Sequence, residues 1–390
     1  MRRTVYTDDH EEFRQLCRTF VERELAPAFQ QYEDAGMVDK AVFARMGELG
    51  LIGLQIPEEY GGGGQTDTFK YNAILTEETA RAATSLGTLR VHQDVVTPYI
   101  LEYATEEQKK RWLPGMADGT LMTAIAMTEP GTGSDLTGIT TRAQRNDDGT
   151  WTLNGSKTFI SGGANADVVL VVARTQAFDP ADRRGGLTIF VVPTASAGFE
   201  VGATLHKIGI KSQDTVELHF TDVVVQEADI LGEVGSAFRY LSANLAQERL
   251  TIAVNAVGTA DAAIRLAAEY AQERTSFGTP LSNFQNTKFV LAECSTEVAA
   301  ARAMLDQALD AHDDGELSPA DAARLKLFTT EVQGRVIDKC LQVHGGYGYI
   351  LEYPIARLYA DARVTRIYGG TSEIMKTIIA KDMGLSARRD

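Results

Sequence analysis

Apolar residues recur at helical spacing over the first third of the chain and again over the last third, with a different texture between. From residue 8 to about 120 the pattern predicts helices with short breaks. Asp8-Asp9-His10-Glu11-Glu12 sets acids at the positive end of a helix dipole, and Phe13, Leu16, Phe20 and Val21 follow on one face. Pro27 predicts a bend near that helix's end. A second helix over 38–49 is expected to stop at Gly50, and helical spacing returns over 68–81 and 98–103. Thr105-Glu-Glu-Gln108 has the form of a capping box. At about 121 Gly and Thr multiply, and short apolar runs appear at 151–153, 168–172, 187–192 and 215–220, parted by turn signals such as Asp147-Asp-Gly149 and Arg184-Gly-Gly186. These predict a compact antiparallel β domain, not alternating strand–helix units. From about 233, Ala-rich amphipathic stretches over 256–274, 285–310 and 319–344 predict an antiparallel bundle. The expected fold is α+β: an N-terminal helical domain (1–120), a middle antiparallel β-barrel or sandwich (121–232) and a C-terminal four-helix bundle (233–390).

One helix in the last part carries an anomaly. Between Leu241 and Ala256 there is no Pro or Gly, and Leu241, Leu245, Glu248 and Ile252 fall on one stripe. The opposite side carries Ala246, Leu250, Ala253 and Val257, so the helix is expected to be buried, Glu248 included. A buried carboxylate is either paired with a cation from another helix or held in a pocket that raises its proton affinity. Periodicity leaves both open.

Composition narrows the class. A chain of 390 residues, 44% hydrophobic and 23% charged, with net charge −15, has the make-up of an ordinary globular protein of two or three domains. The negative balance argues against nucleic-acid and anionic-membrane partners. No membrane span or apolar signal core is expected, and Cys17, Cys294 and Cys340 lack metal or redox spacing. Buried thiols in a reducing, cytoplasmic setting are the expectation, with no metal site.

Several stretches carry chemistry. Met127-Thr-Glu-Pro-Gly-Thr-Gly-Ser-Asp135 crowds backbone donors and hydroxyls into a loop, as a ligand cradle or a plain tight turn would. Asn154-Gly-Ser-Lys-Thr-Phe-Ile-Ser161 sets an aromatic and a hydroxyl two residues apart, on one side of a strand. Gln342-Val-His-Gly-Gly346 ends a helix, and Tyr368-Gly-Gly-Thr-Ser-Glu373 resets the chain before another whose N-terminus suits an anion. His344 reads as structural, since nothing in sequence sets an acid or nucleophile beside it. Arg274 ends a long helix and is either solvated or in reach of a pyrophosphate. Four glycines at 61–64 lack the Lys-Ser/Thr of a phosphate loop and read as a turn.

Together these stretches, with Pro57-Glu-Glu-Tyr-Gly-Gly62 and Lys207-Ile-Gly-Ile-Lys-Ser-Gln-Asp-Thr215, closely resemble the acyl-CoA dehydrogenase family, in the family's order from about residue 8 to 383. The resemblance implies FAD, an acyl thioester substrate, and desaturation between its α and β carbons. A carboxylate would take the α proton while the β hydrogen leaves as hydride to flavin N5. Many members carry that carboxylate immediately before Gly-Thr-Ser, where this chain has Gly369. A smaller group, including the long-chain and isovaleryl enzymes, carries it on the helix after the β domain, and Gln247-Glu248-Arg249-Leu250 matches the long-chain pattern. Glu248 is therefore the expected base.

The resemblance also distributes the other roles. Met127, Thr128, Gly133, Ser134, Phe159, Ile160 and Ser161 would line the flavin, with Ser134 also near the thioester. Arg274, Phe277 and Gln285 would hold the pyrophosphate and adenosine side. Gln342, Val343, Gly345 and Gly346 would serve a neighbouring subunit's FAD, and Thr371 and Glu373 would contact cofactor. Gly369 and Gly370 would meet the thioester and Arg249 the thioester or the pantetheine arm, and Arg90 would either reach the far end of the acyl chain, where it would favour a polar terminus, or extend to solvent. An electron-transfer flavoprotein as acceptor and a tetramer built as a dimer of dimers are implied. Alternatives are an acyl- or peptidyl-carrier-protein thioester as substrate, an oxidase or monooxygenase of the same fold, and a non-catalytic assembly protein.

Overall fold

The computed structural model describes residues 3 to 385 and has the α–β–α order that the apolar pattern predicts. Six helices come first: α1 (Asp8–Phe20), α2 (Ala26–Ala35), α3 (Lys40–Glu48), α4 (Lys70–Arg81), α5 (Thr97–Tyr103) and α6 (Glu106–Ala117). A widened π turn, Val21–Leu25, joins α1 to α2, and Pro27 lies in the first turn of α2. A second π turn, Val91–Val96, runs into α5 and carries the buried polar residues His92, Gln93 and Asp94. Such turns expose side chains that a regular helix would not aim together. The glycines at 61–64 do form a turn, which backbone bonds from Gly63, Gly64 and Gln65 tie to residues 53–56.

The middle of the chain is one eight-stranded sheet: β1 (Thr123–Ala126), β2 (Arg142–Arg145), β3 (Trp151–Ser161), β4 (Val168–Arg174), β5 (Leu187–Pro193), β6 (Phe199–Thr204), β7 (Thr215–Val225) and β8 (Ile230–Leu231). Along the sheet the order is β6-β7-β3-β2-β4-β5-β8, and β1 pairs off that path with β4. The ladders are antiparallel as expected, except that β1 and one residue of β2 pair in parallel with β4. Strand β1 was invisible to alternation because all four of its residues are buried.

The last part begins with α7 (Ala237–Glu273) and a short β9 (Thr275–Ser276) and β10 (Thr279–Pro280) hairpin. Then come α8 (Gln285–Asp313), α9 (Pro319–His344), α10 (Pro354–Ala362) and α11 (Ser372–Asp382). Helix α7 is long and apolar enough to cross a membrane, but 67% of its most apolar window is buried. It packs on α4, α8, α9 and α10, so its apolarity is that of a core helix.

Candidate active site

The site is built on the middle of α7. From Glu248 to Val254 every residue of the helix is buried, and Glu248 is 7% exposed. Its recorded hydrogen bond comes from the Tyr99 hydroxyl of α5 to Oε1 at 3.3 Å, and among the described residues it makes no ion pair. Burial pushes its carboxyl up to about 7; the Tyr99 bond and the Arg249 charge pull the other way without prevailing.

Facing that stripe is the turn Gly369–Gly370, with φ of +62° and +94°. A Cβ on residue 369 would lie 2.4 Å from Cδ1 of Ile252, one helical turn beyond Glu248. A side chain at 369 would thus be strained by its backbone and would compete with Ile252 for space. Thr371 caps α11 by accepting a bond from the Ile374 amide at 3.3 Å, and Glu373 lies exposed in that first turn. Behind the turn, Lys326 of α9 donates to the Gly370 carbonyl at 2.6 Å. Arg249 is 3% exposed, and its Nη1 approaches the Pro319 carbonyl at 3.5 Å.

On the β domain, the loop 127–134 and the end of β3 are tied together. Thr158 N–H donates to the Thr128 carbonyl at 3.0 Å, and Lys157 Nζ donates to the Met127 carbonyl at 3.0 Å and to Glu129 Oε1 at 2.8 Å. Glu129 also accepts from the amides of Thr140 and Thr141, both at 2.8 Å. Beyond this pair the β3–β7 register shifts between Lys157 and Ile160. There Phe159 takes φ +59° and stands 66% exposed, while Ile160 turns into the core and Ser161 shares the outer side with Phe159. Gly131 and Gly133 have open space where a Cβ would be, and Ser134 is exposed beside them. Met127 packs in the same apolar cluster as Tyr99, which links this wall to Glu248.

Arg274 follows the last residue of α7, its guanidinium 5.7 Å from the Tyr347 ring centroid. Phe277 is 96% exposed at φ +51°, and Gln285 opens α8. Gln342, Val343, Gly345 and Gly346 lie at the end of α9 near them, since Tyr270 stacks on His344 at 4.5 Å. His344 donates from Nδ1 to the Cys340 carbonyl at 2.9 Å, and burial lowers its proton affinity, as suits a structural histidine. Arg90 borders a cavity of about 20 Å³, room for about one water, with Asn72, Gln93, Asp94 and Asn255. Asp94, Tyr99 and Lys326 were not singled out in the sequence. Burial raises Asp94 to about 6, against bonds from Thr251 and from Asn72 (2.9 Å), and Gln247 donates to its carbonyl at 2.8 Å.

The chain matches three family models: acyl-CoA dehydrogenase N-terminal domain over residues 7–120, middle domain over 124–223 and C-terminal domain over 235–384. The chain belongs to the acyl-CoA dehydrogenase family. It is 42% identical over 383 residues to the mitochondrial long-chain specific acyl-CoA dehydrogenase of Sus scrofa, covering 98% of this chain and 88% of that one. An acyl-CoA dehydrogenase structure from Geobacillus kaustophilus superposes with a TM-score of 0.94 at 40% identity, over 98% of this chain and 100% of the other. A glutaryl-CoA dehydrogenase from Mycobacterium smegmatis in complex with FADH2 superposes at 0.89 with 26% identity, over 99% and 97%.

As a member of this family the protein is an FAD-dependent oxidoreductase. Its residues fit the cofactor: an outward aromatic on a strained strand end, two unobstructed glycines beside it, and a cation at the end of α7. No group of His, Cys, Asp and Glu among the described residues could hold a metal.

Proposed function

We propose that this acyl-CoA dehydrogenase desaturates acyl-CoA to the trans-2-enoyl-CoA with Glu248 as base, and that its electrons pass to an electron-transfer flavoprotein. The observation that carries this reading is the isolated, buried carboxyl of Glu248, raised to about 7, beside a turn where Gly369 excludes a second carboxylate. A base raised that far still ionises near neutral pH and holds an abstracted proton well. The bound FAD would accept the β hydrogen as hydride. The chain's own residues do the rest. Gly369 and Gly370 would offer backbone N–H groups to the thioester oxygen, donors fixed in place before charge develops there. Phe159 and Ser161 with Thr128 and Ser134 would wall the flavin, and Arg274, Phe277 and Gln285 would hold its diphosphate end.

A homotetramer is part of the same proposal. An apolar groove of about 540 Å³ runs between α8, α9 and α11, lined by Met304, Leu327, Phe328 and Ile379. Tyr349 (90% exposed) and Leu351 (61%) extend apolar surface next to Gln342–Gly346. Buried free thiols at Cys17, Cys294 and Cys340 fit a cytoplasmic setting.

The test is anaerobic titration of the FAD-loaded protein with a panel of acyl-CoAs, following flavin bleaching. The native protein should bleach, and Glu248→Gln should bleach slower by about 10²–10⁴-fold. Equal rates would remove Glu248 from the reaction. No bleaching with any acyl-CoA would replace the CoA substrate by a carrier-bound thioester.

A further inference from the structure

Two cations are buried beside the glycine turn with no carboxylate to match them. Lys326 is fully inaccessible, and its recorded bond goes to the Gly370 carbonyl. Arg249 leaves Nε without a hydrogen-bond partner. Among the described residues neither makes an ion pair. The Arg249 charge lowers the proton affinity of Lys326, on top of a larger effect of burial. The carboxylates in range are engaged or distant. Glu331 is held by Arg366 at 3.3 Å and by Ser372 at 2.9 Å, Glu373 is exposed on α11, and Glu248 faces Arg249 without pairing.

An unpaired buried ion costs several kcal/mol, about as much as the whole stability margin of many folds. Such an arrangement makes physical sense where the counter-charge forms only in the working complex. In the reading above, the α C–H bond breaks, the proton goes to Glu248, and the electron pair spreads onto the thioester oxygen. Negative charge then appears at the atom that the glycine turn faces.

We propose that Lys326 is a positioning residue of this reaction: its ammonium fixes the Gly369–Gly370 turn through the Gly370 carbonyl and, with Arg249, supplies buried positive charge for the oxyanion formed there. The proposal rests on Glu248 as base and on this turn as the seat of the thioester. Helix α9 delivers Lys326 from a rigid, packed surface, with Leu325, Thr329 and Thr330 buried around it. The turn is then held at two adjacent points, by Lys326 at the Gly370 carbonyl and by the Thr371 cap of α11. In a dry interior a fixed charge one peptide away is weakly screened and needs no reorganisation when the oxyanion appears.

The experiment uses a 3-oxoacyl-CoA, whose C2 proton can be removed without oxidation. The proton passes to Glu248, the electron pair spreads over the two carbonyl oxygens, and no electron leaves the ligand. Enolate absorbance is titrated on FAD-loaded native protein, Glu248→Gln, Lys326→Met and Lys326→Arg. Affinity for an S-alkyl thioether of CoA, which lacks the thioester carbonyl, is measured in parallel. Lys326→Met should lower enolate formation about tenfold while thioether affinity stays within about twofold, and Lys326→Arg should retain most of it. Equal ionisation in native and Lys326→Met overturns this proposal alone. An equal loss for both ligands also overturns it, because only the pocket's integrity would have changed. No ionisation by the native protein, or undiminished ionisation by Glu248→Gln, overturns the base reading and this proposal together. Should Lys326→Met fail to fold, Lys326→Gln carries the same comparison.

Discussion

The pocket that raises Glu248 also makes its ionised form a burden on the fold. Its carboxyl moves from 4.5 in the ordinary state to about 7 when buried. Between those two values the native state keeps a proton that the unfolded chain has released, so stability falls as pH rises through that window and levels off above it. The shift corresponds to about 3 kcal/mol at most. Glu248→Gln removes the charge and keeps an oxygen for the Tyr99 hydroxyl to donate to. Its denaturant midpoint relative to the native protein should therefore be higher at pH 8 than at pH 5. Asp94 is raised by burial as well, but it is present in both proteins and cancels in the difference. A difference that does not change with pH would show that Glu248 is solvated. At this scale Glu248 was legible because a carboxylate in an aliphatic stripe breaks the pattern around it. Its partner was not, since Tyr99 lies 149 residues away and only tertiary packing brings the two together.

At the scale of elements, the wall proposed for the flavin depends on one buried ion pair. Glu129 and Lys157, with side chains 4% and 0% exposed, join the 127–134 loop to β3 just before the bulge that turns Phe159 outward. Burial raises Glu129, but the charge and hydrogen bond of Lys157 and the bonds of Thr140 and Thr141 outweigh it and hold the group at about 2. Removing one partner leaves a lone buried charge, so Lys157→Met should cost about 3–5 kcal/mol, whereas Lys157→Met with Glu129→Leu should recover most of that loss. The double variant should still bind FAD more weakly than the native protein, because the two segments lose their common anchor. Reconstitution of the apoprotein with FAD, read by flavin fluorescence, measures this. Native-like FAD affinity in the double variant would make the pair purely structural. The apolar run predicted a strand at 151–153 and the spacing of Phe159 and Ser161 suited strand positions, and β3 runs unbroken from Trp151 to Ser161. Its polar middle, Asn154-Gly-Ser156, offers no alternation, and pairing with β7 makes it a strand.

For the molecule as a whole, the α–β–α order was legible because the apolar period changes from helical to strand-like and back, each time over many residues. Less legible is where the helical domain turns its unpaired apolar surface. Phe277, Tyr349 and Leu351 are exposed beside Arg274, Tyr347 and the 342–346 helix end, where sequence resemblance sets the FAD of a neighbouring subunit. Apolar side chains exposed in one place on a chain of net charge −15 suit a surface that another chain would cover. A neighbour of the same kind would bury Leu351 and complete the cofactor site in one event, which would couple assembly to FAD binding. Leu351→Asp places a charge in that contact without touching Glu248 or the glycine turn. Sedimentation should show smaller species than the native protein forms, and FAD should be lost on dilution at higher protein concentration than in the native protein. Unchanged assembly with weakened FAD binding would mean that each subunit completes its own site; unchanged behaviour in both would remove this face from the interface.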